Sequence, residues 1–396
     1  MTATTAIRPP RPDALIIGAP KAGTSALHAA LARHPQVFAS RPKEPKFFLC
    51  GEAPPPAYCG PGDAHSQQEW VWRRSAYRAL FAPAPPDTVR IESTPFYLYS
   101  ADARRRLADD LPDAKLVVVV RDPIDRAYSN WMHLWVDGLE PVGDFVEACA
   151  LEQDRIAAGW APFWHYREMS RYGEQLADLF ERFARRQVLV LRYRELVSTP
   201  ASAFDRVCRF LGIEEDRIAS VPADNSRPFV APGRRAQVLG RVIRAGAAAG
   251  SLAPPQVWRS ASRPLVALLQ RGGSPQRPRL DPEQRAALVA DHLDDISVLE
   301  TVLGESFDDW RSPTGRGSFT ERAASEQQGA ERSGSGTATA TTRSVIEKLD
   351  AERPAKAPLE TGRSVAEQEF MGRSVAEQEA LEQQAAEEQA PTGTPD

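Results

Sequence analysis

Three side chains in this sequence stand where chemistry on an anion would need them: Lys21, Arg121 and Ser129. Lys21 lies within Gly18-Ala19-Pro20-Lys21-Ala22-Gly23-Thr24-Ser25, between an apolar run and a helical pattern. The backbone N–H groups of such a turn and the positive end of the helix after it converge on one anionic group. Lys21 adds a full charge there, and Thr24 and Ser25 add hydroxyl donors. The lysine precedes the last glycine, unlike the G-x-x-x-x-G-K-[ST] loop, so its ammonium enters from another side. Arg121, followed by Asp122-Pro123, ends a second apolar run, Lys115 to Val120. A nucleotide kinase usually carries a magnesium-binding acid at such a strand end. A guanidinium there is suited to clamping a further phosphate. Ser129 follows about two turns into the helix that Pro123 starts, within reach of the same anion if that helix docks alongside. Two phosphate sites without a metal-binding acid describe a nucleoside with phosphate groups at both ends.

The elements that must hold these residues alternate as in a parallel α/β sheet flanked by helices. Strands are predicted at 14–17, 89–92, 116–120 and 188–191, and helices at 24–33, 101–111, 126–136, 171–185, 201–211 and 282–303. Residues 50–86 are rich in Pro, Gly and aromatics and read as an irregular excursion on the substrate side. So do residues 224–233, ahead of a basic segment with Arg234, Arg235, Arg241 and Arg244.

The loop at Lys21 resembles the 5′-phosphosulfate loop of sulfotransferases that use 3′-phosphoadenosine 5′-phosphosulfate (PAPS), and Val120-Arg121-Asp122-Pro123 through Ser129 resembles their 3′-phosphate motif. Arg41-Pro42-Lys43-Glu44-Pro45-Lys46-Phe47-Phe48 is similar to the K-E-P-H-F-F block of the carbohydrate branch, the heparan-sulfate and bacterial type. Ile91 to Tyr97, Val188 to Leu196 and Phe210-Leu211-Gly212 extend the likeness over residues 13 to 311. The resemblance implies the sulfotransferase fold, a P-loop-like parallel sheet, with PAPS as donor and no metal required. It implies Glu44 as base and Lys21 at the bridging oxygen of the leaving group. Ala22, Gly23, Thr24 and Ser25 would hold the 5′-phosphate, Arg121 and Ser129 the 3′-phosphate, and Arg234 would lie on a basic loop closing over the donor. Lys46 stands where the block has His, and Glu92 is a second acid near the cleft; both are further candidates. A histidine base would have to come from His28, His34, His65, His133, His165 or His292, which are scattered.

Composition sets the bounds. The 396 residues carry a net charge of −4. Residues 312–396 hold 9 basic and 15 acidic side chains, so the remainder is nearly neutral and lacks the bulk charge of a nucleic-acid binder. Three parts are expected: a flexible 1–12, a sulfotransferase domain at 13–311 and an acidic low-complexity tail at 312–396. The tail repeats Gly362-Arg-Ser-Val-Ala-Glu-Gln-Glu369 at 372–379 and has too few large apolar residues to repay its ordering. It reads as disordered, with docking to a protein partner as the functional alternative. The four cysteines fit no zinc spacing and read as reduced thiols, although a Cys50–Cys59 bridge stays open. No apolar run is long enough to span a membrane, and the location expected is cytoplasmic.

The acceptor is expected to be a hydroxyl on a sugar or glycosylated metabolite. Trp70, Trp72, Trp131, Trp135, Trp160, Trp164 and Tyr166 offer rings for it, half or more of them belonging to the core. Two other classes are carried alongside: a P-loop small-molecule kinase, which needs an acid where Arg121 stands, and a noncatalytic adaptor displaying the acidic tail.

Overall fold

The structure is a computed structural model and describes residues 9–61, 70–218, 229–249, 255–271, 273–274, 278 and 280–312. The readings for the tail repeat, for His65 and for residues 224–228 lie outside these. Five strands form one sheet: β1 (Ala14–Gly18), β2 (Val37–Ala39), β3 (Val89–Glu92), β4 (Lys115–Val120) and β5 (Val188–Arg192). Their order is β2-β3-β1-β4-β5, and every pair is parallel. β1 and β4 are apolar and almost wholly buried because helices cover both faces of the sheet.

The helices are α1 (Thr24–Leu31), α2 (Phe47–Cys50), α3 (Arg74–Ala79), α4 (Ala101–Asp110), α5 (Pro123–Val136), α6 (Phe145–Ala150), α7 (Glu152–Ala157), α8 (Tyr172–Arg182), α9 (Tyr193–Ser198), α10 (Pro200–Leu211), α11 (Arg234–Ala249), α12 (Pro255–Gln270), α13 (Pro282–Ala290), α14 (Leu293–Leu303) and α15 (Asp308–Arg311). After β1 the chain runs to one side of it, through β2 and β3, and then crosses to the other side for β4 and β5. The reversal falls between β1 and β4, and open α/β sheets receive ligands outside the carboxyl ends of the strands at such a point.

Two expectations are corrected. Residues 282–303 are not one helix: α13 and α14 are separated at Asp291 and His292. Asp291 turns to Arg167 (2.8 Å), and His292 is buried with its ring nitrogens at the Leu288 and Arg167 carbonyls. β2 was not expected, because three edge residues are too few to show a period. All four cysteines are free. Among the described residues no helix is long and apolar enough to cross a membrane.

The main core joins the sheet to α1, α4, α8, α10 and α14. A second core lies under α5, where Trp131 and Trp135 stack 6.0 Å apart and pack with Trp164 and Tyr166. These four rings are buried, as is Trp70, whereas Trp72 and Trp160 are half-buried.

Candidate active site

The turn after β1 is built by hydrogen bonds and by two glycines. Ala19 N–H donates to the Val119 carbonyl (2.8 Å), tying the turn to β4, and Ala22 N–H donates to Ala19 (3.1 Å). The Ala22 N–H is therefore spent inside the turn, and the part expected of it at a phosphate falls to the groups that follow. Gly18 lies so close to Leu98 that a Cβ would come within 2.6 Å of it. Gly23 caps α1 at φ 91°, in the left-handed region, with no side chain to satisfy the first-turn N–H groups. The N–H groups of Thr24 and Ser25 thus have no side-chain cap, an arrangement in which a helix's positive end can receive an anion. Lys21 itself has φ 67° and is half-buried.

Arg121 meets this turn from β4. Its Nη1 donates to the Lys21 carbonyl (3.1 Å), and its guanidinium stacks over the Tyr193 ring, 4.6 Å from the centroid. Tyr193 also underlies Gly23, where an added Cβ would lie 3.1 Å from the ring. Asp122 caps α5, accepting from the Ile124 and Asp125 N–H groups at 3.0 Å each. Ser129 is buried in that helix. Arg126, fully buried, reaches the Pro20 carbonyl (3.5 Å), the Tyr166 carbonyl (2.6 Å) and Ser170 Oγ (2.6 Å), so it braces the turn from below.

The segment 41–46 approaches from the other side. Ser93 N–H donates to the Lys43 carbonyl, Val71 N–H to the Pro45 carbonyl (2.9 Å each), and Lys46 N–H to Thr94 Oγ1 (3.3 Å). Lys43 Nζ lies 3.0 Å from Ser25 Oγ and 2.9 Å from Glu44 Oε1, linking the turn to Glu44. Burial raises the Glu44 carboxyl, but the charges of Lys43 and Lys46, the hydrogen bond from Lys43 and His28 together hold it below the usual carboxylate range. The Lys46 ammonium stands 5.3 Å over the Trp70 ring.

Glu92 is fully buried behind this segment. Its carboxylate accepts from Tyr77 (2.8 Å), Tyr97 (3.1 Å) and Thr94 (2.8 Å). Thr94 in turn takes the Lys46 N–H, and Tyr97 Oη the Phe48 N–H (3.4 Å), so Glu92 anchors the start of α2. Burial pushes its pKa up to about 7 against those three donors, with the charge of Glu44 adding to the rise.

The structure thus gathers Lys21, Gly23, Ser25, Arg121 and Glu44 around one turn, with Thr24 at the start of α1 and Lys46 and Glu92 adjoining. It does not bring Arg234 there. Arg234 is exposed at the start of α11, and the surrounding chain is fastened at the far end of α5, where Trp135 donates to the Val230 carbonyl (2.9 Å) and Arg244 to the Gly138 carbonyl (2.9 Å). Among the histidines, His28 is buried with Nδ1 2.7 Å from Ser93 Oγ, and burial, with the charge of Lys43, lowers its pKa to about 3. Lys43 and Arg126 lie inside the two sequence motifs without an assignable role there, because their partners are brought near only by the fold.

A family profile described as "Sulfotransferase family" matches residues 12–217. Heparan sulfate glucosamine 3-O-sulfotransferase 3B1 of Homo sapiens is 30% identical over 203 residues, 51% of this chain and 46% of that protein. Bifunctional heparan sulfate N-deacetylase/N-sulfotransferase 3 of Mus musculus is 27% identical over 220 residues, 51% of this chain and 22% of its own length. The chain spans about half the length, or less, of the curated relatives it matches. The crystal structure of a sulfotransferase from Alicyclobacillus acidocaldarius superposes with a TM-score of 0.59 at 26% identity, covering 76% of this chain and 99% of that one.

Proposed function

The chain belongs to the sulfotransferase family, and from that membership we propose that it moves the sulfuryl group of PAPS to a hydroxyl on a sugar or glycosylated metabolite. Residues 13–311 are the catalytic unit in this reading, with 1–12 and 312–396 as appendages. The observation that carries it is the bond from Arg121 to the Lys21 carbonyl, which puts a guanidinium beside the phosphate turn. A nucleotide with phosphate at both ends suits such a pair, and a magnesium-assisted kinase would use an acid there.

The donor is a substrate, and each residue has a defined task toward it. The uncapped N–H groups and hydroxyls of Thr24 and Ser25 bind the 5′-phosphate; Arg121 and Ser129 bind the 3′-phosphate. Glu44 accepts the acceptor's hydroxyl proton as the new O–S bond forms. The old S–O bond breaks with its electron pair going to the phosphate oxygen, and Lys21 neutralises that growing charge. The products are a sulfate ester and 3′-phosphoadenosine 5′-phosphate (PAP). Lys46, turned over Trp70, attracts an anionic group of the acceptor.

Thermal unfolding tests the reading. PAP without magnesium raises the melting temperature and ATP does not. Glu44→Gln keeps the PAP shift and loses sulfate transfer from radiolabelled PAPS. Equal stabilisation by ATP, or full turnover by Glu44→Gln, would overturn the donor or the base assignment respectively.

A further inference from the structure

Lysine is among the side chains least often buried, yet Lys43 is 8% exposed. Its backbone is fixed, since its carbonyl accepts from Ser93 N–H at the end of β3. Its ammonium spans two groups that the reading above gives different tasks: Ser25 in the first turn of α1, at 3.0 Å, and Glu44, at 2.9 Å. We propose that Lys43 is a positioning residue that locks the acid to the donor turn, so that the carboxylate's direction and the Ser25 hydroxyl are set by one cation. This inference rests on the reading of Glu44 as base.

The chemistry follows from the donor inventory of an ammonium, which has three N–H groups and no acceptor. Ser25 Oγ accepts from Lys43, so the serine's own proton points elsewhere and is free to serve a phosphate oxygen. Glu44 accepts a charge-assisted bond on one oxygen, which leaves its other oxygen to face a substrate proton. Four charged or titratable groups bear on Glu44: Lys43 and Lys46 from its own segment, His28 from α1 and Glu92 from β3. His28 is neutral over the working range, and Glu92, pushed up to about 7 with the charge of Glu44 adding to the rise, is itself protonated where Glu44 ionises. The cations must outweigh burial, and Lys43 is the one in direct contact.

The experiment uses the full chain with Lys43→Gln, which keeps amide donors and removes the charge, and Lys43→Arg, which keeps the charge. Glutamate labelled with 13C at the carboxyl is titrated by NMR, with Glu44 assigned through Glu44→Gln. In Lys43→Gln the Glu44 midpoint rises by about one pH unit or more, and the acid limb of kcat/KM moves with it, so kcat below that limb falls about tenfold. PAP binding changes by less than about threefold. Lys43→Arg restores the midpoint. An unmoved Glu44 midpoint in a Lys43→Gln protein that melts normally overturns the proposal, as does an acid limb that stays in place while the midpoint moves. If Lys43→Gln does not fold, Lys43→Arg decides alone: a midpoint matching the unsubstituted protein supports the proposal, and one displaced upward overturns it. Full turnover by Glu44→Gln would sink the base reading, while the carboxyl titration would still report whether Lys43 holds Glu44.

Discussion

Glu92 shows how a single buried acid can shape both stability and the site. Its carboxyl titrates at about 7, against an ordinary value of 4.5, because burial costs the charged form more than Tyr77, Tyr97 and Thr94 return. A pKa raised on folding contributes stability that is complete below about 4.5 and is lost as pH rises through about 7. The loss amounts to about 3 kcal/mol at most. Glu92→Gln should therefore flatten the fall in melting temperature between pH 5 and pH 8; parallel curves for the two proteins would reject this. At this scale Lys21 and Arg121 were legible, because a turn after one buried strand and a cation ending another leave few other readings. Glu44 was legible only through a resemblance, since it stands in a charged run that otherwise looks like solvated surface. Lys43 was not, because its meaning depends on Ser25, which lies 18 residues away and is brought near only by the fold.

Elements place these residues through close approach. The turn at Lys21 can lie flat against Leu98 because position 18 has no Cβ; one added there would sit 2.6 Å from two Leu98 atoms. Gly18→Ala must push the turn or Leu98 aside, at a cost of about 1–3 kcal/mol. Chemical denaturation should show that loss, with PAP affinity falling alongside; unchanged affinity would mean that the turn tolerates displacement. Three of the five strands, β1, β4 and β5, were readable as apolar runs of four or more residues, and β3 as a short alternation of Val89 and Ile91 with Arg90 and Glu92. β2 escaped because an edge strand of three residues has no measurable alternation. The break between α13 and α14 escaped because its cause is tertiary: Arg167 draws Asp291 aside, and His292 is drawn inward to two carbonyls.

Over the whole molecule, the late helices return to the carboxyl end of β4. Arg285 of α13 is buried and pairs with Asp122 at 2.5 Å, with Asp125 at 3.4 Å and with the Ser312 carbonyl at 3.1 Å. Burial and the neighbouring charge of Asp125 push Asp122 up to about 6 even though Arg285 opposes this. Arg285→Ala would leave Asp122 buried without a counter-ion and should cost about 3–5 kcal/mol in urea unfolding. An unaffected midpoint would mean that the pair contributes nothing. No sequence pattern announces such a pair, because an ionic contact across 163 residues has no period to detect. The spacing also sets a clock on the ribosome. Every strand of the sheet has been synthesised by residue 192, yet Asp122, beside Arg121, lacks its Arg285 partner until residue 285 emerges and folds back. A nascent chain stalled between those points has every strand of the sheet but not the counter-ion of Asp122.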